Sequence, residues 1–245
     1  MDDTIEVAVW RGAAEGAYQT YRVPQRDSQT VLDVVTWIQR HVDPALSYRF
    51  ACRVGMCGSC AMTVNGRPRW TCRTHIAKVA QSGRVEIGPL ANMPVIKDLA
   101  CDMEVFFDKW QRAKGVFAPG KTRHDAIERI APNSAPRMQA DAAIECINCG
   151  VCYAACDTVR WNGEYMGPAA LNRAWTLVND VRDSGNRARL TAVAGVVSHQ
   201  ASTTAATARS PSNASSNPKP HISTSSSRPF RRVHSMATVR TPIDA

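Results

Sequence analysis

The sequence lacks a long apolar run. No stretch of its 245 residues approaches the ~20 consecutive apolar residues that a membrane-spanning helix requires, which argues against an integral membrane chain. The acidic start, Met1-Asp2-Asp3, also lacks the basic and apolar segments of a secretory signal or transit peptide. Nine cysteines without such a signal indicate metal ligation in a reducing compartment rather than disulfide bonds.

The net charge of +9 does not by itself indicate a nucleic-acid partner. Residues 196–245 hold six Lys and Arg against one acidic residue, Asp244, so more than half of the positive excess lies there. This tail has no pattern of aromatic residues interleaved with its basic ones, and we therefore expect no nucleic-acid partner. It is rich in Ser, Thr, Ala and Pro, and its low apolar content predicts disorder.

Four cysteines near the middle of the first half follow the spacing C-x4-C-x2-C, then eleven residues, then C. This spacing is the plant-type ligand pattern for a 2Fe–2S cluster. Three thiolates must converge from one tight loop, and Gly55 and Gly58 allow the backbone angles that such a loop needs. A zinc knuckle or a set of buried structural cysteines is the alternative. The four cysteines are Cys52, Cys57, Cys60 and Cys72.

A predicted hairpin returns the chain to this loop. The segments 61–64 and 67–70 flank Asn65-Gly66, which is a strong signal for a two-residue turn between antiparallel strands. The hairpin should therefore carry Cys72 back beside Cys60.

A second cysteine group has the spacing C-x2-C-x2-C-x3-C, which is the bacterial-ferredoxin run for a 4Fe–4S cluster. Gly150 within it permits close approach of the backbone. Zinc is again the alternative, but this run suits tetrahedral zinc less well than separated C-x2-C pairs do. The group consists of Cys146, Cys149, Cys152 and Cys156.

Hydrophobic periodicity divides the chain into a first half with strands and a second half with helices. Strands are predicted over 4–10, 18–23 and 84–87, and a helix with a capping box at Thr30 and Asp33 follows the second of them. These elements indicate a small mixed sheet that carries one helix.

The second half is predicted to be helical. An apolar stripe at helical spacing runs from Leu99 to Trp110, with Cys101 on the same helix as a buried, unreactive thiol. A linker with a short helix at 125–130 follows. Gly167-Pro168 begins a further helix, and the last one spans 186–193. The predicted buried stripe of the Gly167-Pro168 helix is Leu171, Ala174, Trp175 and Val178.

With both cysteine groups and the segments 167–175 and 180–183, residues 4–195 resemble the iron–sulfur subunit of succinate dehydrogenase and fumarate reductase. The resemblance implies an α+β chain. A β-grasp 2Fe–2S ferredoxin domain would occupy 1–98, an α-helical ferredoxin domain would occupy 99–195, and the disordered tail would occupy 196–245.

The resemblance also implies three clusters in a row. The 2Fe–2S cluster would be held by the first four cysteines, three corners of a 4Fe–4S cluster by Cys146, Cys149 and Cys152, and one corner of a 3Fe–4S cluster by Cys156. No cysteine follows Cys156 in this sequence. The two motifs therefore supply eight thiolates, whereas the three clusters need about eleven. Asp157 stands where the family has proline, and Trp161 is a candidate quinone contact, with a core or interface tryptophan as the alternative.

The implied function is electron transfer in a succinate:quinone oxidoreductase. Electrons would pass from an FAD-containing subunit through the clusters to quinone, without an acid, base or nucleophile from this chain. Membrane anchor subunits would hold the chain peripherally at the cytoplasmic face of a bacterial inner membrane, because it has no targeting sequence. Two alternatives remain: the iron–sulfur subunit of a fumarate reductase, and a truncated or frameshifted product that retains only the 2Fe–2S cluster.

Overall fold

A five-stranded mixed sheet forms the first part of the chain. The computed structural model describes residues 4–194. The strands stand in the order β2-β1-β5-β3-β4; β1 and β5 are parallel, and the other pairs are antiparallel. They are β1 (Thr4–Arg11), β2 (Ala17–Pro24), β3 (Ala61–Val64), β4 (Arg67–Trp70) and β5 (Arg84–Gly88). The predicted strands and hairpin are thus confirmed, with ends shifted by at most a residue or two.

Helix α1 (Val31–His41) packs on this sheet. The predicted capping box is present: the Asp33 amide donates to Thr30 Oγ1 at 3.2 Å, and the Thr30 amide donates to the Asp33 carboxylate at 3.0 Å. One face of α1 is buried against alternating apolar residues of β1 and β5, so helix and sheet share one core. The buried residues of α1 are Val31, Leu32, Val34, Val35, Thr36 and Ile38.

The Asn65-Gly66 turn is fixed from both sides. The two residues have φ of 47° and 73°, the left-handed conformations that a tight hairpin turn requires. The Asn65 side chain also donates to the Val79 carbonyl at 2.7 Å and accepts from the Glu86 amide at 2.8 Å. A short helix, α2 (Ile76–Val79), and β5 therefore hold the turn that returns the chain to the cysteine loop.

The helix predicted from Leu99 begins later than its apolar stripe suggests. Strands β6 (Val95–Lys97) and β7 (Ala100–Cys101) form a small hairpin, and α3 (Glu104–Arg112) begins only after it. Cys101 thus lies on a strand, and its placement on a helix was wrong; it is buried, as expected. The reason is Asp98, whose buried carboxylate accepts from Arg11 Nη1, the Gly12 amide and the Ser47 amide, and so fixes a turn.

The remaining described chain is helical. No helix forms at 125–130, so that prediction was wrong. The Asp125 carboxylate instead accepts from the amide and hydroxyl of Thr122, which closes a turn, and Ile127 is 92% exposed and has no core to enter. The helices are α4 (Ala135–Ile144), α5 (Val151–Ala154), α6 (Asp157–Trp161), α7 (Pro168–Val178) and α8 (186–194).

Helix α7 begins at Pro168 as predicted, after Gly167 with φ of 82°. Its buried face differs from the predicted stripe, of which only Ala174 is buried. Trp175 is half exposed because its indole lies along α4, where Nε1 donates to the Gln139 carbonyl at 3.0 Å. The face that packs inward is mostly alanine, which allows close approach of neighbouring segments; it comprises Ala169, Ala170, Ala174 and Leu177.

Helix α8 confirms the predicted helix at 186–193. The predicted tail, 196–245, lies outside the described residues. Within residues 4–194, no helix is long and apolar enough to cross a membrane.

A buried ion pair ties α8 to the linker after α3. Arg189, 1% exposed, donates to both carboxylate oxygens of Asp183 at 2.8 and 3.1 Å. Arg189 also donates to the carbonyls of Lys114 and Val116. Burial opposes the charge of Asp183, but hydrogen bonds from Arg189, Ala118 and Gly185 outweigh burial and lower the pKa of this carboxyl.

We expect Asp183→Asn to lower the free energy of unfolding by about 3–5 kcal/mol, because it leaves the Arg189 charge buried and unpaired. Arg112→Gln is the control: it breaks an exposed pair with Glu164 and should cost below about 1 kcal/mol. Since the folded pKa of Asp183 is depressed, its contribution is present above the ordinary Asp value of about 3.9 and is lost as pH falls through the folded pKa. Urea unfolding across acidic pH measures both effects, and equal losses for the two variants would contradict the assignment.

Candidate metal centres

The first cysteine loop wraps its amide groups around one sulfur. Cys52 Sγ accepts from the amides of Met56 and Cys57, each at 3.3 Å, and of Val54 at 3.5 Å, while the Cys52 amide donates to Cys57 Sγ at 3.4 Å. Amide groups aimed at sulfur stabilise its negative charge. The loop is therefore arranged to hold thiolates.

The backbone makes this turn through left-handed residues. Gly55 and Gly58 have φ of 80° and 70°, as the sequence led us to expect, and Arg53 adopts 62° although it has a side chain. The Arg53 guanidinium lies 4.8 Å from the Phe50 ring centroid. The Arg73 side chain packs on Gly55, where a Cβ would come within 2.9 Å of Arg73 Cγ.

Cys60 and Cys72 are buried beside Leu32 of α1. The β3–β4 hairpin positions them: Ala61 pairs with Trp70, and the Thr71 hydroxyl and amide both donate to the Cys60 carbonyl, at 2.7 and 3.2 Å. Cys72 follows in a single turn of 3-10 helix, Thr71–Arg73. The turn chemistry thus brings the fourth thiol of the pattern next to the third.

The thiols differ in charge state. Hydrogen bonds, above all from Ser59 and then from Cys52, lower the pKa of Cys57 to about 6. Burial, followed by the proximity of Cys60, raises the pKa of Cys72 to about 11. The hydrogen bonds at Cys57 thus favour its thiolate form, the form that binds metal, and burial at Cys72 opposes that form.

Within residues 4–194, no three Cys, His, Asp or Glu side chains converge as ligands of a single metal ion. A 2Fe–2S cluster has no such requirement, because its four thiolates bind the two irons in pairs. Amide donors around Cys52, hydrogen bonds that lower the pKa of Cys57 and a buried pair at 60 and 72 fit that cluster.

The second cysteine group lies at the start of α5. Gly150, with φ of 77°, caps the helix and packs so closely on the first half that a Cβ would lie 2.8 Å from Met93 Cε. Cys146 and Cys152 are exposed and Cys149 is partly buried.

Cys156 is the N-cap residue of α6, and it lies near Tyr165. Burial raises the pKa of Tyr165 most, and the Cys156 thiol raises it further. Asp157 is exposed in the first turn of α6. Trp161, at the end of α6, is 85% exposed, which rules out the core alternative for this residue. Its role as a quinone contact stays a prediction.

Comparisons with known proteins agree with this arrangement. Residues 4–108 match the family described as "2Fe-2S iron-sulfur cluster binding domain". The chain is 36% identical to the fumarate reductase iron-sulfur subunit of Haemophilus influenzae, over 72% of each chain. It is 37% identical to a mitochondrial succinate dehydrogenase iron-sulfur subunit of Oryza sativa, over 71% of this chain and 62% of that protein. A chain of the Mycobacterium smegmatis Sdh1 complex matches with a TM-score of 0.66 and 28% identity, covering 76% of this chain and 79% of that one.

The chain belongs to the family of fumarate reductase and succinate dehydrogenase iron–sulfur subunits. Membership in this oxidoreductase family confirms the predicted α+β ferredoxin architecture and the electron-transfer class of function. The matched 2Fe–2S domain contains the whole first cysteine group.

In this family member, Asn92 joins the two cysteine-bearing parts. Its side-chain amide donates to the carbonyls of Tyr153, Ala154 and Cys156, at 3.0, 3.4 and 3.2 Å. These carbonyls end α5 and lead into Cys156, so one residue of the first half caps the helix that carries Cys152. Sequence reasoning missed Asn92, because a single asparagine before Met93-Pro94 signals only a turn.

We expect Asn92→Gly to lower the free energy of unfolding by about 1–3 kcal/mol, because three buried or half-buried carbonyls lose their donor. Glycine keeps the left-handed backbone, φ 63°, so the change isolates the amide. Asn92→Asp should cost more, since a carboxylate would face three carbonyl oxygens. Urea unfolding measures both variants; an Asp variant as stable as the parent would contradict the capping role.

Proposed function

We propose that this chain is the electron-transfer iron–sulfur subunit of a succinate:quinone oxidoreductase. An FAD-containing subunit would supply the electrons, quinone would receive them, and anchor subunits would hold this chain at the cytoplasmic face of a bacterial inner membrane. The observation that carries the proposal is the first cysteine loop, with its amides aimed at Cys52 Sγ and its thiols returned by a hairpin. The family relationship and the match to a chain of an Sdh complex support it.

We assign Cys52, Cys57, Cys60 and Cys72 as the ligands of a 2Fe–2S cluster, in a domain over 1–98. The domain over 99–195 would place Cys146, Cys149 and Cys152 on a 4Fe–4S cluster and Cys156 at a 3Fe–4S position. Such clusters accept and release single electrons. The chain holds them, shields them and sets their potential through hydrogen bonds and charge, and it needs no acid, base or nucleophile for that task.

Two other readings have specific support. A fumarate reductase subunit would have the same architecture, because partners and potentials set the direction of the reaction, and the Haemophilus influenzae relative bears that name. A product that keeps only the 2Fe–2S cluster is favoured by the ligand count, since this sequence contains no cysteine after Cys156.

Iron and sulfide analysis of anaerobically reconstituted full-length chain separates the product that keeps only the 2Fe–2S cluster from the two oxidoreductase subunits. About two irons per chain indicate the first cluster alone, about six indicate a 2Fe–2S and a 4Fe–4S cluster, and about nine indicate all three. Cys72→Ala, which leaves no ligand atom, should abolish the 2Fe–2S visible and electron paramagnetic resonance signals, whereas Cys101→Ala, which removes a buried thiol outside both groups, should keep them. A colourless parent chain after reconstitution would overturn the proposed function.

Arg53 and Arg73 lie beside the proposed cluster, and their positive charge should favour its reduced, more negative state. We expect Arg53→Gln and Arg73→Gln each to lower the 2Fe–2S midpoint potential. The shift should be larger for Arg73, because its side chain packs on Gly55 inside the ligand loop, whereas the Arg53 guanidinium lies over the Phe50 ring outside that loop. Arg22→Gln on β2 is the control. Redox titration followed by electron paramagnetic resonance measures the shifts, and a rise or no change for both variants would argue against this tuning.

A further inference from the structure

The two cysteine loops touch at Gly58. A Cβ built on this residue would overlap Cβ of Cys149 and would lie 2.9 Å from its Cα. Gly58 is buried and has φ of 70°, between the proposed ligands Cys57 and Cys60. The backbone of the first loop therefore rests directly on a cysteine of the second group, and no other residue type fits this place without movement.

The loops diverge beside this contact. A cavity of about 270 Å³ lies between them, lined by both groups through Cys57, Ser59, Asn148 and Cys149 and floored by Leu90 and Met103. Gly58 also lines this cavity, so the contact between the loops lies at the edge of the cavity. A shift at this contact would thus change the separation of the two groups directly.

The structures on either side of the contact are firmly held. On one side the hairpin and the Thr71 hydrogen bonds fix Cys60, two residues from Gly58. On the other side Gly150 packs against Met93 and Met103, and the Asn92 amide holds the end of α5. Because neither loop can give way cheaply, a side chain at position 58 would push the two groups apart rather than be absorbed locally.

We propose that Gly58 is a positioning residue: its missing side chain sets the separation across which one electron passes from the first cysteine group's cluster to the second's. The transfer moves a single electron, with no bond made or broken and no proton moved. This inference rests on the proposed function, since it assumes electron transfer between the two sites.

Gly58→Ala tests it against two glycine controls. Gly55→Ala introduces the same left-handed strain in the same loop, but its Cβ would meet only the flexible side chain of Arg73. Because Arg73 is expected to tune the 2Fe–2S midpoint potential, that potential is measured for each variant and the rates are compared at equal driving force. Gly66→Ala introduces that strain at the hairpin tip, where nothing lies within 4 Å. The three variants therefore share backbone strain, and only Gly58→Ala changes the contact between the loops.

In reconstituted full-length chain, the readouts are the magnetic interaction between the two reduced centres and the rate of electron re-equilibration after pulsed reduction. We expect Gly58→Ala to weaken the magnetic interaction and to slow re-equilibration several-fold. The 2Fe–2S absorbance of each variant shows whether the first cluster is still bound. Equal slowing in Gly55→Ala would assign the effect to loop strain and overturn the proposal. An unchanged rate in Gly58→Ala would also overturn it.

If the parent chain holds only the first cluster, the proposed function fails, but the positioning role of Gly58 can still be tested. Amide hydrogen exchange provides that test. Gly58→Ala should then raise exchange at residues 147–151, while Gly55→Ala and Gly66→Ala should leave that segment as in the parent. Unchanged exchange at 147–151 in Gly58→Ala would show that Gly58 does not position the second group.

Discussion

Negative charge on closely spaced sulfur atoms is the constraint on which this structure depends. Four thiolates repel one another, and a small protein can bring them together only if donors and positive charge offset that repulsion. Here the loop itself supplies the donors, because left-handed residues at 53, 55 and 58 turn its amides inward onto Cys52 Sγ. The β3–β4 hairpin places the remaining pair, Cys60 and Cys72. Its strand register pairs Ala61 with Trp70, which brings the residues on either side of that pair close together.

The second constraint is distance, because an electron carrier works only if its sites lie near one another. The sheet half and the helical half meet over a shared apolar cluster that includes Leu90, Met93, Phe106 and Tyr153. The Asn92 amide, which bonds to three carbonyls at the end of α5, then fixes the register of the halves. Within the helical half, buried Lys109 donates to the Tyr165 carbonyl at 2.8 Å. An apolar interface alone could slide, whereas these directional bonds specify one arrangement.

Sequence reasoning succeeded where the signal is local. The capping box at Thr30, the Asn65-Gly66 turn and Pro168 each act within a few residues, and each lies where predicted. It failed where a distant partner overrides local pattern. Leu99 and Cys101 continue the apolar stripe of α3, yet Asp98 bonds to Arg11 and Ser47 from far along the chain and forces a hairpin. Asn92 is the same case within the candidate site, since its three acceptors lie about sixty residues away.

The two cysteine groups depend on their surroundings to different degrees. The first is assembled wholly from residues 52–72 and the sheet that carries them, so the stability of that sheet is enough to position its ligands. The second has exposed thiols at Cys146 and Cys152, of which Cys152 lies on a helix of four residues, and its backbone is held by contacts both with the first half and with the helical half. A helix this short has little stability of its own. The geometry of the second group therefore depends on the first half as well as on its own helices, and the first half acts on it through the Gly58–Cys149 contact and the Asn92 cap.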